Sequence, residues 1–446
     1  MVTLTRLSRP SVKFIDDYCH NYRQLFDEVR NYEAFKLLHL GLLSELPRKS
    51  LPQIARAVGL SNSQSLHHFL QNSTYSTSAL TATRLKLILE LIGEQEIILC
   101  IDESGDVKKG KATDYVSKQY IGNLGKTARG IVSVNAYAVV GQITYPLLFK
   151  IFKPKRCLLP GDTYKTKPQL AVEILQELTE MGFQISLVLA DSLYGESGDV
   201  IGTLQQLGLH FIVAIRSNHG VWLAPGQQVR YNGWKPYQQQ LSHRQSESRC
   251  IREIIFGKRQ RLRYYQITKG ETPEPTGDNS WYIMTNIEGK IQLKVAQPYS
   301  WRNWIEYGFK QVKNELGWAD YRLTNYPSIE RWWSLVFSAY LLVSIHANNF
   351  SERESARDTT KKITLTSQLI AQFQQHCGWD NAQTWKSALN NLRLIIQPYI
   401  FACLLAPWLE VFQLRYLSRE LWKLVHYLNQ LPTLLNNRVV TNLVAA

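Results

Sequence analysis

The sequence predicts an α/β core that carries a β-rich insertion and is flanked by helical regions at both ends. Three observations predict it. Up to about residue 95 apolar residues recur at helical spacing, as in Leu25–Val29–Tyr32–Phe35 and Leu85–Ile88–Leu89–Ile92. From about Glu96 short apolar runs alternate with helical stretches. After about residue 290 the helical period returns and holds to the end of the chain. A length of 446 residues leaves room for two to four domains.

Residues 1–95 read as a helical DNA-binding region. Within it LPQIARAVGLSNSQSLHHFL, residues 51–70, has the pattern of a helix-turn-helix. Ala55 and Gly59 suit close helix packing and a turn, and Ser61, Asn62 and Ser63 are candidate caps. Gln64, His67 and His68 would then face a DNA groove, although an ordinary helical hairpin fits the same pattern.

Residues 96–218 read as the first part of the core. EIILCIDES is a short strand ending at Asp102, followed by GIVSVNAYAVV and ITYPLLFKIF as a hairpin around Gly141-Gln142. A helix with Pro168 in its first turn comes next, then the strand QISLVLADS ending at Asp191, a short helix over about 198–207, and the strand HFIVAIRSN. Three strands, helix, strand, helix, strand is the order of an RNase H-like sheet.

Residues 219–289 break that rhythm and read as the β-rich insertion. Arg249, Arg252, Lys258, Arg259, Arg261 and Arg263, with Tyr264 and Tyr265 among them, suit a phosphate track with base stacking; a charged edge strand is the plainer alternative. GETPEPTGDN, residues 270–279, is a polar loop. Residues 290–345 return to the core, and residues 346–446 form a helical C-terminal region with a polar linker near 351–362. The apolar run Trp332–Ile345 is too short for a membrane span and reads as a buried helix.

The formal net charge of +15 points to a polyanionic partner, with nucleic acid the default. Cys19, Cys100, Cys157, Cys250, Cys377 and Cys403 are scattered, with no zinc-like spacing, so reduced thiols are expected. The N-terminus has no signal-peptide run. A cytoplasmic, prokaryotic, nucleoid-associated protein with no membrane partner is the expectation.

The chemistry is expected from three acids. Asp102 and Asp191 each end an apolar strand, where open α/β sheets form their crevice. A helix carrying Tyr299, Arg302, Glu306 and Lys313, with two, three and six residues between them, presents these four side chains near one stripe. Three carboxylates at one point repel one another, and divalent cations relieve this. Oxygen donors favour Mg²⁺ or Mn²⁺, and a pair of ions suits phosphodiester chemistry. An ordinary solvated helix with an Arg302–Glu306 pair is the alternative for the helix alone.

These residues carry a resemblance. CIDESGDVKKGK with KQYIGNLGK after it, LVLADSLYG, and the Tyr299–Arg302–Glu306–Lys313 spacing resemble a DDE transposase of the IS4 superfamily, most of all the IS701 insertion-sequence family. The resemblance covers about residues 96–320 and is looser outside them. Leu193 departs from it, standing where a smaller residue is more usual. It implies an RNase H-like, retroviral integrase-like core. It implies that Asp102, Asp191 and Glu306 bind two Mg²⁺ or Mn²⁺ ions and that Tyr299, Arg302 and Lys313 hold DNA phosphates. Lys108, Lys109 and Lys111 would neutralise the DNA backbone, a solvated loop being equally compatible, and Trp222 or Trp234 would hold a flipped base, a core role being the commoner one for tryptophan. Arg259, Arg261 and Arg263 belong to the basic segment read above as a phosphate track. The implied activity is cut-and-paste transposition on double-stranded DNA, at terminal inverted repeats and target, by a homodimer or higher oligomer. The rival expectations are a nuclease that never joins strands and a domesticated DNA-binding protein with a dead site.

Overall fold

The computed structural model describes residues 6–110, 112–221, 231–240, 246–255, 262–273, 275–276, 279–288, 295, 298–351, 371–382 and 384–429. The chain divides into two compact units, Glu94–Phe309 and Met1–Gly93 with Lys310–Ala446.

The unit Glu94–Phe309 is built on one sheet of ten described strands. Its strands β1 (Ile97–Val107), β2 (Ser117–Ile121), β3 (Lys126–Val140), β4 (Ile143–Ile151), β5 (Ile185–Ala190) and β6 (Phe211–Ile215) hold the sequence's most apolar runs. β1, β5 and β6 are parallel neighbours, so helices must return the chain between β5 and its neighbours. Those helices are α6 (Lys167–Glu180), α7 (Ser192–Gly195) and α8 (Gly198–Gln206). α6 starts at a capping box in which Thr166 and Gln169 satisfy each other's backbone N–H groups. β3 and β4 form the hairpin expected at Gly141, whose φ of 59° needs glycine's freedom.

Two features were not expected. β2 escaped the sequence reading; it pairs with the start of β3, and β4 pairs with the end of β3 on the same side. The strands after residue 219 also join the same sheet. β7 (Lys235–Gln240), β8 (Ser246–Ile255), β9 (Arg263–Lys269) and β10 (Ser280–Thr285) follow one another antiparallel, and β10 pairs with β6 from Tyr282↔Ile215 to Thr285↔Ile212. The β-rich segment therefore lengthens the core sheet at the β6 edge, and covers an edge that would otherwise be bare.

The other unit is helical. It contains α1 (Lys13–His20), α2 (Val29–Leu43), α3 (Leu51–Ala57), α4 (Gln64–Asn72) and α5 (Thr77–Ile92). Later in the chain come α10 (Tyr326–Ser351), α11 (Trp385–Val411) and α12 (Arg415–Leu428). α9 (Asn303–Asn314) begins in the sheet unit and ends in this one. α10 contains the run Trp332–Ile345, which is buried on all sides, as a helix apolar all round must be. Trp333 stacks on Trp318 at 4.3 Å, and the Trp332 indole N–H donates to the Gly317 carbonyl. α3 and α4 are joined at Gly59, φ 77°, and Asn62 Oδ1 accepts the Gln64 N–H at 2.9 Å. Gln64, His67 and His68 are exposed on α4.

Candidate active site

The site is set by where β5 stops. β1 and β5 pair in parallel up to Ile101↔Ala190. The next residues are Asp102 and Asp191, on strands roughly 4.8 Å apart. β5 ends there, whereas β1 continues to Val107, paired only with β3. Asp102 thus lies within a strand rather than at its end, and the crevice opens because its neighbour ends first.

Asp191 caps the short α7, accepting the Leu193 N–H at 2.9 Å. Leu193 contributes a backbone donor here, so its side chain does not decide the cap. Asp102 Oδ1 accepts the Glu103 N–H at 2.7 Å. Gly195 is required because a Cβ there would stand 2.0 Å from the Ala214 carbonyl oxygen of β6. That close approach holds α7, and Asp191 with it, against the sheet.

The segment bearing Glu306 is not one continuous helix from Tyr299, which corrects the single-stripe expectation. Residues 298–300 are helical, Trp301 and Arg302 form a turn, and α9 starts at Asn303. The Arg302 N–H donates to Tyr299 O and the Ile305 N–H to Arg302 O, both across three residues at 3.2 Å, so the chain is wound more tightly than an α-helix. Gly308 lets α9 lie against β3: a Cβ there would meet the Tyr137 ring at 3.0 Å. Phe309 adds an edge contact to the same ring at 5.7 Å. The Cys100 thiol donates to the Trp301 carbonyl at 3.7 Å, fixing the turn over β1.

Arg302 joins the acids. Its Nη1 lies 3.0 Å from Asp102 Oδ2 and its Nη2 3.0 Å from Glu306 Oε1. The Asp102 side chain is 13% exposed and that of Glu306 56%, so the cluster opens to solvent on the Glu306 side. Burial pushes the Asp102 carboxyl up to about 7; Arg302 opposes the rise, while Asp191 and Glu306 add to it. Asp191 is also raised, first by burial, with Arg302 again opposing. Burial alone would lower the Arg302 guanidinium, but Tyr299, Asp102, Glu306 and Asp191 hold it above its ordinary value. Burial raises Tyr299 as well.

Three carboxylates in one electrostatic neighbourhood, with a guanidinium between two of them, form a place for positive charge. The donors are hard oxygens, which fit Mg²⁺ or Mn²⁺. Among the described residues no three His, Cys, Asp or Glu side chains are already gathered as a metal cluster. Arg302 is the cation that stands among them instead.

The remaining predicted residues are more scattered. Lys313 is in the last turn of α9, in the helical unit. Lys108 and Lys109 follow β1's end, six or more residues beyond Asp102, which is roughly 20 Å of extended strand. Lys111, Arg259, Arg261 and Trp222 lie outside the described residues. Arg263 is 3.8 Å from Glu253, Arg249 pairs with Glu247, and Arg252 is bound to Gln266 at 2.7 Å. These arginines are held within the sheet rather than offered as a bare track. Trp234 is half-buried, with the Arg252 guanidinium over its ring at 4.3 Å.

Two groups passed over in the sequence stand at the acids. Lys167 Nζ is 2.7 Å from Glu103 Oε2, and its charge lowers Asp191. Tyr194 is fully buried with an unpartnered hydroxyl, and Asp102, Glu103 and Asp191 all raise it after burial does. The capping box was the available signal for Lys167, since it fixes that residue at the helix start. Tyr194 gave none beyond lying in the LVLADSLYG motif.

Comparison with known proteins gives three findings. A family model described as DDE superfamily endonuclease matches residues 22–273. The match takes in most of the N-terminal helices, where the sequence resemblance was looser, and ends before Glu306. A probable transposase for insertion sequence element IS701 from Microchaete diplosiphon is 52% identical over 327 residues, 73% of this chain and 86% of the relative. A piggyBac transposase, solved as a synaptic complex with hairpin DNA, aligns with a TM-score of 0.46 and 11% identity over 93% of this chain and 82% of that one.

Proposed function

The chain belongs to the DDE superfamily of endonucleases and is a DNA transposase of the IS701 type, and we propose that Asp102, Asp191 and Glu306 carry its chemistry. The enzyme cleaves DNA and transfers a strand, and it depends on a divalent metal. In our reading it works by cut and paste from an RNase H-like sheet. It frees a 3′ hydroxyl at each end of its element and joins that hydroxyl to target DNA.

The observation that carries the residue assignment is the placement of Arg302 between Asp102 and Glu306, beside Asp191 across the β1–β5 register. Arg302 contacts Asp102 and Glu306, and Asp191 follows the last paired residue of the neighbouring strand, which supports assigning the three acids to one site. Asp102, Asp191 and Glu306 would hold two Mg²⁺ or Mn²⁺ ions, which lower the barrier to attack on the phosphodiester and stabilise charge on the leaving oxygen. Arg302 neutralises the acids in the free protein and turns to a DNA phosphate in the complex, where its planar fork suits two phosphate oxygens. Tyr299 and Lys313 hold the same strand. Gly195 and Gly308 set the positions of the acids by letting helices approach the sheet. The α3–α4 pair, with Gln64, His67 and His68 outward, reads the terminal inverted repeats. Such a protein works at the nucleoid.

Excision from a plasmid with paired transposon ends tests the assignment. Asp191→Asn and Glu306→Gln should each lower excision roughly 10⁴-fold or more, the scale seen when one member of a catalytic group is removed. Binding to end DNA should persist. Normal excision in either variant would sink the assignment.

A further inference from the structure

β2 is the first strand of the sheet, and its two faces differ. Ser117 and Ile121 point inward and are at most 3% exposed. Ile121 fills the space above Gly105 of β1 and Gly130 of β3, where a Cβ would meet it at 3.1 and 2.7 Å. Lys118 and Tyr120 alternate with them and point outward, Tyr120 being 53% exposed. Antiparallel partners share a face, so Arg129 opposite Lys118 and Thr127 opposite Tyr120 point the same way, and both are exposed. The Lys108 N–H donates to the Arg129 carbonyl at 3.1 Å, which carries the β1–β3 register one residue further. Lys108, Arg129 and Lys118 therefore form one row across three strands. Counting back by twos along β1 puts Asp102 on the same face of the sheet.

We propose that Lys118, Arg129 and Tyr120, with Lys108 beside them, bind the phosphate backbone of duplex DNA outside the element, the flank before cutting and the target at joining. The proposal rests on the transposase reading and on Asp102 as part of the cutting site. From Val107 to Gly130 the chain carries six lysines or arginines and one acid, Asp114. Asp106, the acid on the face of the row, is buried. Among the described residues no carboxylate pairs with Lys118 or Arg129, unlike the arginines of β8 and β9. The Arg129 Nε donates to the Gly110 carbonyl at 3.4 Å, which steadies the guanidinium without neutralising it. Exposed cations and a phenol hydroxyl are donors suited to phosphate oxygens. No amide side chain stands in the row to read bases, since Gln119 faces the other way. A contact blind to sequence suits DNA outside the element, which differs at every insertion. Ser104 and Ser133, between the row and Asp102, are buried, so the row is a surface separate from the crevice. Six residues of strand place it roughly 20 Å from Asp102, about six base pairs of duplex. A charged edge that only discourages sheet pairing is the competing explanation.

Fluorescence anisotropy of the full chain without divalent metal, so that nothing is cut, tests the proposal. The probes are element-end duplexes that stop at the cut or continue into about 4 or about 12 base pairs of flank, below and above the expected reach. Lys118→Ala/Arg129→Ala should lower the slope of log affinity against log salt by about 1.8 on the longest probe, about 0.9 for each phosphate contact, and leave the shorter probes unchanged. Tyr120→Ala should weaken the longest probe a few-fold at an unchanged slope, because it removes no charge. Circular dichroism should match the parent, since all three side chains are exposed. Lys118→Gln/Arg129→Gln serves if the alanine pair misfolds. A second arm measures a labelled duplex of random sequence binding to the chain already holding a precut end. A slope loss there alone keeps the surface and makes target DNA its occupant. Parent-like slopes on both the longest probe and the random duplex overturn the proposal and leave edge protection as the role of the row. An equal loss on the flankless probe overturns it too, because the row would then hold the element itself. No cleavage is read, so the surface can stand if Asp102, Asp191 and Glu306 fail as catalytic residues. Only the flank length at which the loss begins depends on Asp102.

Discussion

The acidic crevice beside β5 and the apolar face of α11–α12 both break the rules of a stable isolated chain, in opposite ways. The crevice holds Asp102 where burial and the neighbouring Asp191 and Glu306 disfavour its charge, and Asp191 where burial does. The hairpin leaves large apolar side chains in water. The first departure suits the cation and phosphate proposed for the crevice, and the second leaves an apolar surface exposed among the described residues. Functional sites are where local consistency fails, and here the kind of failure names the kind of partner. The crevice's cost should respond to pH and divalent ions, and the hairpin's to protein concentration.

Arg302→Ala should show the largest effect on that contrast. It removes the cation between Asp102 and Glu306 and leaves Asp102 mostly buried. Breaking a fully buried pair costs about 3–5 kcal/mol; here about 1–3 kcal/mol is expected, because Asp102 can escape by taking a proton. The Glu306 side of the pair adds little, being well exposed. Thermal denaturation of the metal-free variant should therefore show the loss at pH 8 and a smaller loss at pH 5. Mn²⁺ should restore more stability to the variant than to the parent. A loss that ignored pH and Mn²⁺ but varied with protein concentration would break the comparison.

How much of this was legible depended on which rule governed each residue. Asp102 and Asp191 were readable because a carboxylate at the end of an apolar strand run is conspicuous. That β1 runs on past Asp102 was not, since ESGDV has no apolar signature and extends only by pairing with β3. The spacing of Tyr299, Arg302 and Glu306 was readable, but the tight turn at Trp301 and Arg302 depends on contacts with Cys100 and was not. The basic residues of β8 and β9 read as a phosphate track, because sequence cannot show that Glu247, Glu253 and Gln266 would engage them. α11 fell within residues 346–446, read only as a helical C-terminal region. Charged and amide residues such as Lys386, Asn391 and Arg393 lie in the half that packs into the core, so polarity did not mark where burial stops.

Asp102→Asn should show an intermediate effect. The folded-state carboxyl sits near 7 against an ordinary value of 3.8, so the fold favours its neutral form. That contribution is fully present below pH 4 and is lost as pH rises through 7. The metal-free parent should therefore lose melting temperature across this window through Asp102, and the asparagine variant should lose less. At pH 8 the variant should melt higher by a few degrees, since each kilocalorie is worth roughly 2–4 °C in a domain of this size. Identical pH profiles would mean that the crevice does not strain the fold, and the comparison with the hairpin would lose one side.

Lys313→Ala should have the smallest effect and asks how far the charged region extends. Lys313 follows Glu306 by seven residues on α9. Seven residues is nearly two turns, so Lys313 shares the Glu306 face about 10 Å farther along the helix. A DNA strand held at Arg302 and running along that face would meet it. Removing one phosphate contact should reduce the slope of log affinity against log salt by about 0.9, with a loss of only a few-fold near physiological salt. Fluorescence anisotropy with end DNA over a salt series measures both. Equal slopes would confine phosphate binding to the sheet side of the helix and remove Lys313 from it. A reduced slope would extend the charge-governed region into the unit that also carries the apolar hairpin.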